Sequence, residues 1–158
     1  ELDSRIRKQR TQTELSSLKK ARRNGVNVPK VEKTSNYILK LEKIQGKTLE
    51  EDFRPEKMSD VGENVQKLHE SGLVHGDLTT KNIIADRETF LIDFGLSEDS
   101  PSTEDRAIDL HLLKQILESS HPEYFEQAWE NFLNSYRPEF RESVLERLEE
   151  VEGRGRYK

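Results

Sequence analysis

Cysteine is absent from the 158 residues, and methionine occurs once, at Met58. Disulfides and thiolate metal sites are therefore excluded, and a reducing compartment is compatible with the chain. Apolar residues are also scarce, at 32% against 36% charged. No apolar run approaches the length of a membrane span and no signal peptide is visible, so no membrane partner and a cytoplasmic location are expected. The apolar residues are nonetheless clustered and periodic. This argues against disorder and for a modest core of helices around a few short strands, in one domain.

The net charge of -5 speaks against a broad nucleic-acid surface. Its distribution is uneven. Arg5, Arg7, Lys8, Arg10, Lys19, Lys20, Arg22 and Arg23 crowd the first segment, with only Asp3 and Glu14 among them. Arg154, Arg156 and Lys158 make the other end basic.

Residues 2–24 read as a helix with a sparse stripe of Ile6, Leu15 and Leu18, stopped by Gly25 in a left-handed cap. Val26, Val28 and Val31 around Pro29 read as extended, and Tyr37, Leu39 and Leu41 alternate as a strand does. Thr48-Leu-Glu-Glu has the form of a capped short helix. A helix from Pro55 to Ser71 follows, with Val61, Val65 and Leu68 on one face and Gly72 at its end. Between Leu73 and Gly95, short apolar runs alternate with polar loops, the pattern of short strands carrying functional loops. From Thr103 the pattern is helical again. Ile108, Leu112, Gln115 and Ile116, beside Leu113 and Leu117, predict a broad buried face. Pro122 and Pro138 are placed like first-turn prolines of two more helices, and residues 152–158 read as a flexible tail.

The chemistry sits in His75-Gly76-Asp77-Leu78-Thr79-Thr80-Lys81-Asn82 and in Ile92-Asp93-Phe94-Gly95. Phosphoryl transfer asks for a positioned acceptor, metal on the phosphates and neutralised charge. Magnesium takes oxygen ligands and keeps several waters, so an aspartate and an asparagine on neighbouring loops suffice. A second aspartate, five residues before the asparagine, can orient an acceptor hydroxyl and take its proton late. The plainer reading makes Asp77 and Asp93 turn residues and Asn82 a cap. Six fixed residues in the right order have a chance probability on the order of 10⁻⁸ per placement, which argues against it.

The Asp-x-x-x-x-Asn spacing and the Asp93-Phe94-Gly95 triplet resemble the protein-kinase-like superfamily. His75-Gly76-Asp77 stands where ordinary protein kinases carry His-Arg-Asp, and His-Gly-Asp occurs in atypical and small-molecule kinases. With Thr79-Thr80, the run closely resembles the atypical kinase subunit of the KEOPS complex, the PRPK family. Leu2-Asp3, Arg10-Thr11 and Glu14 resemble that family's first helix, Gly25-Val26 and Val28-Pro29 its next segment, and Gly153-Arg154-Gly155-Arg156 its closing tail.

The resemblance implies an α+β, protein-kinase-like fold, mainly the helical C-terminal lobe with a few short strands. Residues 1–46 would be a remnant of the N-terminal lobe, 47–151 the C-terminal lobe and 152–158 a basic tail. It implies an atypical serine/threonine kinase or ATPase using ATP and Mg2+. Asp77 would be catalytic, and Asn82 and Asp93 would hold the metal. Glu14 would pair with the ATP-contacting lysine. Leu41 would lie behind the adenine, with Glu42 and Ile44 offering backbone groups, and Lys81, Ile84 and Ile92 would complete the nucleotide site. Asp109 would brace the catalytic loop. The implied partners are the threonylcarbamoyl transferase subunit, fused to the kinase in some archaea, and other KEOPS subunits. The transferase modifies a tRNA adenosine beside the anticodon; tRNA contact would be indirect or through the basic tail.

The sequence also departs from the pattern. No glycine-rich phosphate loop and no strand lysine precede Glu14, and the chain starts at Glu1, so most of the upper lobe is expected to lie before it. No Ala-Pro-Glu follows Asp93-Phe94-Gly95, and the stretch from Leu96 to Glu104 is short for a peptide-docking segment. Lys81 stands where the family often has serine. Two competing readings are a RIO-type or small-molecule phosphotransferase and a catalytically silent scaffold module. The three intact site residues oppose the second.

Overall fold

A computed structural model of the chain describes residues 1–99 and 101–155. Helix α1 (Leu2–Arg23) closes as the sequence predicts. Gly25 takes φ +82. Its N–H reaches the Arg22 carbonyl at 3.2 Å, and the Val26 N–H reaches Ala21 at 3.1 Å, the paired bonds of a left-handed helix stop. Leu15, Ser17, Leu18 and Ala21 are buried, but Ile6 is 46% exposed. The reason is angular: at about 100° per residue, Ile6 lies half a turn from Leu15.

Strands β1 (Val31–Lys33) and β2 (Leu39–Leu41) form an antiparallel hairpin in which Val31 faces Leu41. Tyr37 and Ile38, expected in the strand, lie in its turn. There the Ile38 carbonyl accepts from the Thr34 and Ser35 amides. Strand β3 (Lys47–Thr48) follows. The Thr48–Glu51 box forms, with the Thr48 Oγ1 to Glu51 amide bond at 3.2 Å and the Thr48 amide to Glu51 Oε1 bond at 3.3 Å. It caps one turn only, not the expected helix. Pro55 holds Arg54 extended at φ -130, ψ 106, and that breaks the run. A 3₁₀ turn, Pro55–Lys57, then leads into α2 (Met58–Glu70).

Strand β4 (Leu73–Val74) enters the functional loops, and β5 (Ile83–Ala85) and β6 (Thr89–Leu91) follow them. The sheet order is β3-β5-β6, all antiparallel, while β4 pairs with β7 (Glu98–Asp99).

Helix α3 (Thr103–Ser120) starts on a capping box, with Ser102 Oγ accepting from the Asp105 amide at 3.1 Å. Leu113 and Leu117 of the expected face are buried, together with Ala107, Asp109 and Leu110; Leu112 and Ile116 are half-buried, Gln115 is exposed, and Ile108 is 49% exposed. Apolar side chains surround much of this helix, so the tertiary bonds of Asp109 decide which side turns inward. Pro122 opens a 3₁₀ turn running into α4 (Phe125–Ser135), as expected. Pro138 instead lies in a turn before α5 (Arg141–Gly155), its carbonyl accepting from the Arg141 amide.

The buried side chains of α2, α3, α4 and α5, among them Leu68, Leu110, Phe132 and Leu148, form one core with Leu91 of β6. The expected tail is helical from Glu152 to Gly155, because Glu152 pairs with Lys114 at 2.8 Å and Arg154 with Glu104. Residues 156–158 of that tail lie outside the described residues.

Candidate active site

Strand β4 delivers His75, Gly76 and Asp77, and a 3₁₀ turn, Thr80–Asn82, carries the asparagine. Asn82 Nδ2 donates to the Asp77 carbonyl at 2.9 Å and to Asp77 Oδ2 at 3.0 Å. These two bonds fix the amide's orientation and leave Oδ1 as its acceptor end. The Asn82 carbonyl accepts from the Ile92 amide at 2.9 Å, so Asp93 emerges directly beside the asparagine's loop. Asp93 has φ +60, the one positive φ outside glycine among the described residues. That conformation costs roughly 1–2 kcal/mol, and such strain is typically held at working sites.

His75 ties the two loops together. Its buried ring accepts from the Asp77 amide at Nδ1, 3.1 Å away, and donates from Nε2 to the Ile92 carbonyl at 2.8 Å. An amide only donates and a carbonyl only accepts, so the ring is the neutral Nε2–H tautomer. Phe94 packs against it with ring centroids 4.7 Å apart.

Beneath the loop lies Asp109, on α3. Its carboxylate accepts from the His75 amide at 2.8 Å, the Gly76 amide at 3.0 Å and His69 Nε2 at 3.0 Å. Burial alone would raise this carboxyl. The bond to His69 with its charge, and the His75 amide, outweigh burial and hold it below the usual carboxylate range. His69 Nδ1 meets the Tyr136 hydroxyl at 2.8 Å, and burial drives that phenol's pKa upward. A relay of Tyr136, His69 and Asp109 thus supports the catalytic-loop backbone. Its place for Asp109 matches the bracing position expected from the sequence. His69 and Tyr136 were not anticipated, although a histidine next to Leu68 on a buried helix face needs a polar partner.

Glu14, half-buried on α1, faces the same site. Burial and the neighbouring charge of Asp93 raise its pKa, while the Phe94 amide opposes them. Asp77, Asn82, Ile92, Asp93 and Glu14 therefore converge.

Of the remaining expected residues, Lys81 shares the 3₁₀ turn of Asn82. Leu41 and Glu42 line a groove of about 480 Å³ between α1 and the hairpin, with Leu18 and Val31. Ile44 and Glu42 border a second groove with Asp86 and Phe90. The Glu42 amide already donates to the Lys30 carbonyl at 2.9 Å, so only its carbonyl remains for a ligand. Ile84 is the half-buried centre of β5, and Lys81 is exposed.

This arrangement has relatives. The RIO-domain family model matches residues 3–127. The KEOPS complex subunit Bud32 of Pyrococcus abyssi is 41% identical across the whole chain, which covers 78% of that protein. The chain is a RIO-domain protein of the Bud32 family. A probable bifunctional tRNA threonylcarbamoyladenosine biosynthesis protein of Methanosarcina barkeri is 41% identical over 99% of the chain; the chain spans only 29% of that relative. Among solved structures, WaaP in complex with acyl carrier protein superposes with a TM-score of 0.68 at 16% identity, covering 92% of this chain and 75% of that one. The RIO domain thus has the α+β, kinase-like fold that the sequence implies. No helix among its described residues is long and apolar enough to cross a membrane.

Proposed function

We propose that this RIO domain is the Bud32 subunit of a KEOPS-type complex. In this reading it is an atypical serine/threonine kinase or ATPase that uses Mg-ATP in threonylcarbamoyl modification of tRNA adenosine, in the cytoplasm. The observation that carries the reading is the Asn82 clamp: one side chain holds Asp77 by its carbonyl and its carboxylate, while its backbone carbonyl seats the strand end that carries Asp93.

The donor set fits the cation. Asp93 and Asn82 Oδ1 would hold Mg2+, one carboxylate and one amide oxygen being what magnesium takes when phosphates and waters supply the rest. When bound, ATP supplies the phosphoryl group and the metal neutralises its phosphates. Asp77 orients the acceptor hydroxyl and takes its proton, held in place by Asn82 Nδ2. Glu14, raised by burial and by Asp93, is the acceptor for a lysine beside the phosphates. Lys81, Ile84 and Ile92 border the nucleotide from the catalytic-loop side, and Leu41, Glu42 and Ile44 from the hairpin side.

By the same reading, residues 1–46 belong to the upper lobe and residues from 47 to the lower. The bifunctional relatives support a threonylcarbamoyl transferase as the direct partner, beside other KEOPS subunits. Contact with tRNA would run through that partner or through the basic end, where Arg154 also pairs with Glu104.

The test is magnesium-dependent ATP turnover by the natural full-length protein, alone and with its transferase partner. Turnover that rises with the partner is expected. Absence of turnover in both conditions would leave a scaffold role and defeat the proposal.

A further inference from the structure

Gly76 separates His75 from Asp77, and the space that its missing side chain leaves is occupied by backbone. At φ +86, a Cβ on residue 76 would lie 2.0 Å from the Leu96 carbonyl oxygen and 2.6 Å from its carbon. No real Cβ comes so near, and the obstacle is main chain, which cannot swing aside as a side chain does. Leu96 belongs to the turn that follows Asp93, so that turn rests directly on the residue beside Asp77.

The other contacts of both segments leave little room to adjust. The Gly76 amide is bound to Asp109 at 3.0 Å and the Asp77 amide to His75 at 3.1 Å. On the opposite side, Ser97 Oγ bonds the Phe94 carbonyl at 2.7 Å and Ser17 Oγ of α1 at 2.6 Å. Strand β7 then returns along β4, with Val74 facing Glu98. With the catalytic loop anchored from below, an added methyl group would have to lift the Leu96 backbone, and Asp93 lies three residues away along the same turn.

We propose that Gly76 is a positioning residue for phosphoryl transfer: its bare α-carbon seats the Leu96 carbonyl on the catalytic loop and so sets Asp93 against Asp77 and Asn82. The proposal rests on the phosphotransfer reading above for its catalytic consequence, and on geometry alone for the seating. It gives the glycine of His-Gly-Asp a task that an arginine could not perform here, because any side chain would occupy the carbonyl's place.

The experiment compares Gly76→Ala with Gly25→Ala in the natural full-length protein. Gly25 shares the positive φ, at +82, but nothing lies within 4 Å of a Cβ there, so it reports backbone strain without a clash. Two readouts are taken: amide hydrogen exchange over residues 94–99, and ATP turnover against magnesium concentration. In Gly76→Ala, exchange over the turn is expected to accelerate about tenfold or more. Turnover should fall on the order of 10²-fold, the cost of misplacing a group by about 1 Å, and half-saturation by magnesium should move upward. Gly25→Ala should leave both readouts unchanged. Unchanged exchange in Gly76→Ala, equal effects in the two variants, or lost turnover with an unmoved magnesium requirement would each overturn the proposal. If Gly76→Ala does not fold, Ser97→Ala decides, since it frees the same turn from its far end. A raised magnesium requirement supports the proposal, and an unmoved one overturns it. Should the wild-type protein show no ATP turnover, the phosphotransfer reading fails, and the exchange measurement still decides the seating.

Discussion

His75 donates from Nε2 to the Ile92 carbonyl at 2.8 Å, so the strand end that delivers Asp93 hangs on a ring fixed two residues before Asp77. Both ring nitrogens are used, the second by the Asp77 amide. The two candidate working carboxylates are therefore placed by one neutral imidazole.

Replacing that imidazole by a ring without nitrogens should separate packing from placement. His75→Phe keeps an aromatic ring against Phe94 and orphans the Ile92 carbonyl and the Asp77 amide. A loss of about 1–3 kcal/mol per unsatisfied group is expected in urea denaturation. Turnover should fall by more than tenfold in protein that remains folded. Equal turnover in the variant would mean that His75 only fills space.

Asp109 makes acid stability part of the account. Its folded carboxyl is held below the ordinary value of 3.8, because the His69 bond and charge, with the His75 amide, overcome burial. The unfolded chain then takes up the proton more readily. This contribution is present above the ordinary carboxylate range and is lost as pH falls through the folded value. Asp109→Asn should cost roughly 1–3 kcal/mol near neutrality, and its stability should fall less steeply with acid than that of the wild type. Parallel acid profiles would show that the carboxylate charge is not what braces the loop.

His121 predicts a second pH effect, in a milder range. It stacks on Phe53 with ring centroids 3.9 Å apart, and its buried Nε2 has no hydrogen-bond partner among the described residues. Burial holds its pKa below 6.5, with Glu50 opposing. The unfolded histidine therefore charges first, and stability should decline as pH drops below about 6.5. His121→Phe keeps the stack and should flatten the thermal-stability profile between about pH 7 and pH 5. A profile as steep as the wild type's would assign the slope to other groups.

Much of the site could be read in the residues because the chemistry demands particular types at close spacing. Asp77, Asn82 and Asp93 come together through bonds made within or between adjacent loops. Gly25 was legible for a similar reason, a local backbone need. What could not be read depends on distant contacts. The buried side of α3 follows Asp109, whose partners lie 33 to 40 residues away. Residues 152–155 are helical because Lys114 and Glu104 of α3 reach them, despite two glycines that weaken a helix. The Thr48–Glu51 box was correctly anticipated and its helix was not, because the extended residue before Pro55 ends the run after one turn. Leu41, Glu42 and Ile44 line grooves of their own, and their part in holding a nucleotide belongs to the proposal.

The central claim is that Asp93, seated beside the Asn82 clamp, works on phosphoryl transfer with Asp77. The most direct measurement is single-turnover ATP cleavage by the natural full-length protein, with its transferase partner present, compared with Asp93→Ala across a magnesium titration. The account predicts partner-stimulated cleavage in the wild type and a loss on the order of 10³-fold or more in the variant at every magnesium concentration, the scale on which removing electrostatic support costs such reactions. Cleavage in Asp93→Ala at the wild-type rate would contradict the account.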